Sequence, residues 1–457
     1  MAPVSVIAIF DIGKTNKKLF LFDEQYNIVY EESKQFEEIK DEDGFACEDV
    51  DTLTKWIKEV FAKALSNKNF QIKAVNFSAY GASFVHLNKD GKVTAPLYNY
   101  LKPYSSSLQK KFYDAYGGES LVAKQTASPV LGNLNSGMQL YRLKYEKPDL
   151  FSKIKHALHL PQYVSYILSN TLNTDITSVG CHTNLWDFQK NDYHKWVKEE
   201  GLLEKFAPLK DCREIVGYVN EIPVGAGLHD SSAALIPYLS SFSEPFILLS
   251  TGTWCISLNP FNYSMLSDYE LHNDCLCYLS YLGKPVKASR LFAGYEHEQQ
   301  IKKLAEYFHV QPDQYKEIQP DHNFIKKIRI GESVSIHSQK GAMTGQSRFG
   351  SRNMSDFKDY AQAYHQLIAD IMEQQIKSTN FVFKNTTVKK IFVDGGFSRN
   401  PIFMNLLANA YPLLEIYAAE MAEATSLGAA LAIHKKWNKN SVPPGIITLR
   451  SYDQLHK

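Results

Sequence analysis

Apolar positions fall along this chain in two rhythms, short unbroken runs and longer runs with helical spacing. Val4 to Phe10 is apolar but for Ser5 and rich in β-branched residues, which predicts a buried strand. The polar stretch Asp11 to Lys18 follows, then a second apolar run at Leu19 to Phe22, a polar turn at Asp23 to Asn27, and a third strand near Ile28 to Tyr30. This strand–turn–strand opening differs from the strand–loop–helix of a dinucleotide-binding unit. From Asp51 the rhythm changes: Leu53, Trp56, Ile57, Val60, Phe61, Ala64 and Leu65 recur at i, i+3, i+4 and i+7, the stripe of a helix with one buried face. A strand at Ile72 to Phe77 empties into Ser78 to Ser83, and residues 104 to 170 read as mostly helical, with Pro161 at a helix start.

Midway the pattern begins again. Gly225 to Asp230 leads into a small-residue helix, and Leu239 to Pro245 reads as a polar, Pro-ended linker. After it come a strand at Phe246 to Leu249, a turn at Ser250 to Thr253 and a strand at Cys255 to Leu258. The opening architecture is thus repeated, which predicts two domains of similar fold, residues 1–243 and 244–457. In the second, Tyr364, Leu367, Ile368, Ile371, Met372 and Ile376 mark a long helix. The strand Lys390 to Val393 reaches a Gly-Gly turn, Asn400 and Pro401 start another helix, and small residues from Ala424 to Ile433 form the last.

A length of 457 residues agrees with two domains. Lys and Arg number 50 against 49 Asp and Glu, a formal net charge of +1, so no large nucleic-acid footprint is expected. No apolar run reaches the ~18 residues of a membrane span. The first run is short, lacks a preceding basic residue and ends at Asp11, unlike a secretion signal. Six cysteines are too few for a disulfide scaffold, and Cys275 and Cys277 have no second pair at zinc spacing. The expectation is a cytoplasmic protein with reduced thiols.

Walker, Gly-x-Gly-x-x-Gly, Gly-x-Ser-x-Gly and His-Glu-x-x-His patterns are all absent. What remains is three Gly-containing turns, each after an apolar strand, at 11–18, 250–253 and 394–400. Glycine lets backbone N–H groups approach an anion closely, and Thr15, Thr251 and Thr253 add hydroxyl donors. One such turn is an ordinary hairpin. Two matched turns in two matched halves suit a phosphate chain held between domains. Asp11 and Asp230 each follow apolar residues in a tight turn. Turn or helix capping is one reading of them and catalysis the other.

The ordered set Asp11-x-Gly-x-Thr-x-x-Lys18, His229-Asp230-x-x-Ala233, Ser250-Thr-Gly-Thr-Trp254 and Gly395-Gly396-x-Ser-Arg-Asn400 resembles the FGGY family of carbohydrate kinases, closest to its L-rhamnulokinase branch. The resemblance covers most of residues 4 to 436. It implies two actin-like (ribonuclease H-like) α/β domains with a nucleotide and sugar cleft between them, a sugar and ATP as ligands, and Mg²⁺ as cofactor. By the same resemblance, Asp11 holds Mg²⁺ through water, with Asp230 able to approach the ion. Gly13, Thr15 and Lys18 form the first phosphate turn, and Thr251, Gly252 and Thr253 the second. Gly395, Gly396 and Asn400 form the adenosine turn. Asp230 is the base that deprotonates the sugar hydroxyl, and Gly81, Ala82, Ser83 and His229 join it at the sugar.

This chain departs from the family pattern in places. Lys14 stands where a small residue or Thr is usual. Ser83 replaces an acid, and Tyr98 to Lys102 replaces an acidic and Arg motif. Tyr80, Phe84 and His86 are either core aromatics or a platform for an apolar sugar face. The resemblance implies phosphorylation of a ketose such as L-rhamnulose or L-fuculose, both 6-deoxy sugars. Other polyols of the family (xylulose, ribulose, gluconate, glycerol) and a non-catalytic sensor are the alternatives.

Overall fold

The computed structural model describes residues 2–327, 347–421 and 423–453. Contacts divide the chain into two units. The first comprises Met1–Ser241, Cys277–Pro285 and Ala422–Ile446; the second comprises Phe242–Leu276, Val286–Met421 and Ile447–Lys457.

In the first unit, strand Val4–Ile12 is central. Lys17–Asp23 returns antiparallel beside it and Ile28–Lys34 follows on the outside. Helix Val50–Ser66 then carries the chain across to Phe70–Ala79, which pairs parallel on the other side. The crossover is helical because parallel neighbours cannot be joined by a tight turn. Asp49 starts this helix by accepting from the N–H groups of Asp51 and Thr52. Its buried Leu53, Trp56, Ile57 and Phe61 meet Val6, Ala8, Phe10 and Phe77 of the sheet. Ile222–Gly225 and Leu228–His229 add to Phe70–Ala79 in parallel. Numbered among themselves along the chain, with the last two sharing one place, these strands read 3-2-1-4-5, and Ile215–Val219 pairs antiparallel outside Ile222–Gly225.

The second unit repeats that order. Phe246–Thr251 is central, Cys255–Asn259 and then Pro285–Leu291 lie antiparallel on one side, and Lys390–Gly395 and Glu415–Glu420 lie parallel on the other. Helix Tyr360–Phe383 buries Leu367, Ile368 and Ile371 against Ile247, Leu249 and Phe403. Both units are α/β with mixed sheets.

Two segments late in the chain, Cys277–Pro285 and Ala422–Ile446, pack with the first unit. Helix Ala424–Ala432 is built of small residues because it crosses helix Asp230–Ser241 at backbone contact: a Cβ on Gly428 would stand 1.9 Å from the Ala233 carbonyl oxygen. In Cys277–Pro285, the Cys277 N–H bonds the Ala127 carbonyl and Leu279 packs over Gly180. The predicted linker is also shorter than expected. Helix Asp230–Ser241 continues through its first three residues, with Ser240 bonding back to Ile236. Among the described residues no helix is long and apolar enough to cross a membrane.

Candidate active site

In the first unit the carboxyl ends of three neighbouring strands are in register: Ile12 opposite Ala79, and Ala79 opposite His229. Ligands of open α/β sheets bind beyond such ends. Asp11 lies on the first of these strands, Tyr80 to Ser83 leave the second, and Asp230 leaves the third as the first residue of a helix. The strands carrying Asp11 and Asp230 are two strand spacings apart, about 10 Å of backbone, which two carboxylate side chains can close.

Asp11 is the most perturbed group there. Burial, the Asp230 carboxylate and the Glu423 carboxylate together push its pKa up to about 7. The hydroxyls of Thr425 and Ser426 lie at 3.4 and 3.3 Å from Oδ2 and relieve this only weakly. Glu423 was not legible as a site residue. It stands 412 positions after Asp11, and the start of helix Ala424–Ala432 delivers it in a left-handed conformation, φ 49°. It also takes Lys18, whose Nζ donates to Glu423 Oε1 at 2.8 Å. Three converging carboxylates opposite one ammonium are a set of hard oxygen donors short of positive charge, and Asp11 and Asp230 fit a divalent cation such as Mg²⁺, which binds through one or two carboxylates and keeps much of its water. Among the described residues no group of three or more His, Cys, Asp and Glu side chains is arranged as a complete metal site.

Asp230 Oδ1 accepts from the Ser231 N–H at 2.5 Å and faces His229 Nε2 at 3.1 Å. Oδ2 has no hydrogen bond among the described residues. Burial lowers the pKa of His229, against the pull of Asp230, so the ring is neutral at pH 7. The imidazole thus stands against the carboxylate at close range without a net charge of its own. His229 is fixed on every side: its N–H bonds Thr177 Oγ1 at 3.0 Å, Cys181 Sγ lies 3.1 Å from Nε2, and the Tyr278 ring lies 5.7 Å away. Gly81 leaves room for it, since a Cβ there would meet His229 at 2.9 Å. Ala82 has φ 60°, and Gln139 Nε2 holds its carbonyl at 2.7 Å. Ser83 is buried, and its carbonyl takes the Leu160 N–H.

All three aromatic candidates are buried. Phe84 and His86 lie in the wholly buried strand Phe84–Leu87 and are core. Burial drops the His86 pKa to about 3. Tyr80, just past a strand end, also belongs to the core, with the half-buried Tyr100 edge-on to it at 6.0 Å.

The first turn closes by Gly13 N–H to Asn16 O at 2.9 Å, leaving Thr15 exposed at its tip. In the second unit, Gly252 N–H bonds the Trp254 carbonyl at 2.9 Å, with Gly252 and Thr253 exposed. Thr251 differs from a free donor. It is buried, its hydroxyl donates to the Asp394 carbonyl and accepts the Phe397 N–H at 3.0 Å, and so it ties the 250–253 turn to the 394–400 turn. Gly395, at φ 79°, sits where a Cβ would lie 2.0 Å from the Thr251 carbonyl oxygen; Gly396 has room. Asn400 caps helix Pro401–Ala410 through Ile402 and Phe403 N–H groups and donates to the Tyr364 hydroxyl at 2.8 Å. Its side chain is committed to structure. A further glycine, Gly294, brings helix Ala293–Phe308 onto Gly252, where a Cβ would stand 1.9 Å from the carbonyl oxygen.

Residues 6–237 match the N-terminal domain of the FGGY family of carbohydrate kinases, and residues 243–441 match the carbohydrate kinase FGGY C-terminal domain. The chain belongs to the FGGY family of carbohydrate kinases. Members of this family are phosphotransferases. A rhamnulokinase of Halalkalibacterium halodurans is 22% identical over 447 residues, 92% of this chain and 91% of that protein. A rhamnulokinase of Mannheimia succiniciproducens is 25% identical over 266 residues, 55% of this chain. In that second comparison the chain spans about half the relative's length, 52%. Among solved structures, a carbohydrate kinase from Novosphingobium aromaticivorans has a TM-score of 0.79 at 20% identity, covering 99% of this chain and 95% of its own. The ligand-bound xylulose kinase from Lactobacillus acidophilus also reaches 0.79, at 15% identity and 99% and 94% coverage. At such identities the structural likeness speaks for the FGGY fold alone.

Proposed function

We propose that this FGGY protein is an ATP-dependent sugar kinase that phosphorylates a hydroxyl of a neutral ketose, with 6-deoxy ketoses such as L-rhamnulose or L-fuculose as the favoured class. One observation carries the reading: Asp230, with one carboxylate oxygen taking the Ser231 N–H and lying 3.1 Å from His229 Nε2, keeps the other without a hydrogen bond among the described residues, near the half-buried Asp11. In the proposed reaction Asp230 Oδ2 takes the proton as the sugar oxygen bonds to the γ-phosphorus, and the bond to the ADP oxygen breaks. Neutral His229, 3.1 Å from Oδ1, packs against the carboxylate and limits where it can turn. Asp11 and Asp230 would hold Mg²⁺, which supplies charge neutralisation for the phosphates when bound. Lys18 lies beside the carboxylates; in each unit the exposed turn threonine, Thr15 in the first and Thr253 in the second, is the donor assigned to phosphate oxygens, since the Gly13 and Gly252 N–H groups close their own turns. Because the Thr251 hydroxyl is already engaged, Thr253 is the hydroxyl of the second turn assigned to phosphate.

The ketose preference draws on the rhamnulokinases among the relatives and on the half-buried Tyr100, packed edge-on to the core Tyr80, as an apolar face for a methyl-bearing sugar. A test is kcat/KM over a panel of ketoses, glycerol, gluconate and aldoses with ATP and Mg²⁺ saturating. Neutral 6-deoxy ketoses are expected to lead by at least about tenfold, the discrimination one satisfied hydroxyl or methyl contact supplies. A lead by glycerol or gluconate contradicts the substrate class. ATP turnover unmoved by every sugar favours a sensor.

A further inference from the structure

We infer that Lys14 is a specificity residue of the proposed sugar site, its ammonium donating to a hydroxyl oxygen of a neutral polyol rather than gripping nucleotide phosphate. This rests on the sugar-kinase reading above. The 11–18 turn carries two lysines with partly exposed side chains, and they leave it in different directions. Lys18, opposite Asp11 in the hairpin register, joins Glu423 at 2.8 Å and Glu31 at 3.6 Å, the carboxylate side of the site. Lys14 folds back the other way. Its Nζ donates to Glu38 Oε1 at 2.8 Å, lies 3.6 Å from Glu48 Oε1 and stands 6.0 Å from the Tyr80 ring centroid.

That position belongs to the side of the site assigned to sugar. The Tyr80 N–H bonds the Ile12 carbonyl at 3.1 Å, and Tyr80 leads directly into Gly81, which abuts His229. Tyr100 packs edge-on to Tyr80, and its phenol feels both Lys14 and Asp230. Lys14 thus stands beside the Tyr80–Tyr100 pair, and it and the proposed base are both near enough to act on the Tyr100 phenol. An ammonium beside an aromatic ring suits a ligand that has an apolar face and hydroxyls at its edge.

Charge sets the ligand class. Glu48 is buried and paired with the buried Lys17 at 3.1 Å, while Lys17 Nζ also bonds the Lys14 carbonyl at 3.0 Å. Glu38 supplies the second carboxylate against Lys14. Lys14 is therefore neutralised by its own neighbours, and with Asp230 and Asp11 nearby the site has no surplus positive charge for an anionic sugar. An ammonium has three donors, and Glu38 takes one at hydrogen-bond distance. A neutral hydroxyl is what the remaining capacity fits. The arrangement also answers the departures at Ser83 and at 98–102: polar recognition lost there is regained from the turn.

The experiment compares wild type, Lys14→Met and Lys14→Arg by three readouts: ketose KM at saturating ATP and Mg²⁺, ADP affinity without sugar, and the rise in Tm on adding L-rhamnulose or L-fuculose. Met keeps the stem without the charge, and Arg keeps the charge. The expected result for Lys14→Met is a ketose KM raised about tenfold or more, a lost ketose-induced Tm rise and ADP affinity within twofold. Lys14→Arg should retain most of the wild-type values. A fall in ADP affinity with unchanged ketose KM overturns the inference, as does a variant unchanged in all three readouts. A wild-type preference for gluconate overturns the neutral-ligand class. If wild type shows no turnover but its Tm still rises with ketose, and Lys14→Met abolishes the rise, the kinase reading falls and the Lys14 assignment stands. Absence of both turnover and Tm rise in wild type overturns both.

Discussion

At the scale of single residues, the unliganded site sets stability against function, and Asp11 shows it most plainly. Its pKa is near 3.8 in an unfolded chain and about 7 in the fold. Between those values the folded state holds a proton that the unfolded state has released, so stability falls as pH rises from about 4 to about 7 and stays low above that. Asp11→Asn removes this penalty. The variant should match wild type near pH 4 and exceed it by about 1–3 kcal/mol at pH 8 without added cation. Tm measured across pH checks this; a variant less stable than wild type at pH 8 contradicts the burial of an uncompensated carboxylate. Asp11 and Asp230 could both be singled out from the sequence, because each ends an apolar run at a turn. Glu423 and Tyr278 could not. Nothing local marks either one, and only the return of late segments to the first unit brings Glu423 to Asp11 and Tyr278 to His229.

Among the elements, the turns separate by what their glycines must avoid. Gly395 and Gly396 are adjacent and look alike in the sequence. Yet Gly395 combines φ 79° with a Cβ position 2.0 Å from the Thr251 carbonyl oxygen, whereas a Cβ on Gly396 meets that oxygen at 3.8 Å. Gly395→Ala is therefore expected to lower Tm by about 5 °C or more, through strain and loss of the Thr251 tie, and Gly396→Ala to change it by about 2 °C at most. Thermal unfolding of the two variants side by side decides it; equal Tm values contradict the close backbone approach. The hydrophobic rhythm carried the strands and long helices well, because each buries one continuous face. Strand Cys275–Leu279, strand Pro285–Leu291 and helix Ala293–Phe308 escaped that reading. Charged residues such as Lys287 and Arg290 interrupt their apolar pattern, and these are paired, to Glu270 and Asp274, rather than solvated. The hydroxyl of Thr251 and the amide of Asn400 were also legible as site residues by motif, but their bonds serve the turns themselves.

For the whole molecule, the repeated strand–turn–strand opening was the strongest signal of two like units, and five strands of each sheet share a 3-2-1-4-5 order. The chain's division was less legible, since helix Ala424–Ala432 joins the first unit through a glycine contact that hydrophobicity does not encode. Family membership follows from matches over residues 6–237 and 243–441, while the proposed sugar preference draws on side chains near Tyr100 and Lys14 that motifs do not specify. The central claim is that Asp230 is the base of a ketose kinase. Its most direct test is ketose-dependent ADP release by wild type and Asp230→Asn, measured with ATP and Mg²⁺ saturating and ATP affinity determined in parallel. The account predicts a rate lowered by roughly 10²–10⁴ in the variant, with ATP affinity within a fewfold of wild type. Near-wild-type ketose-dependent release by Asp230→Asn contradicts it.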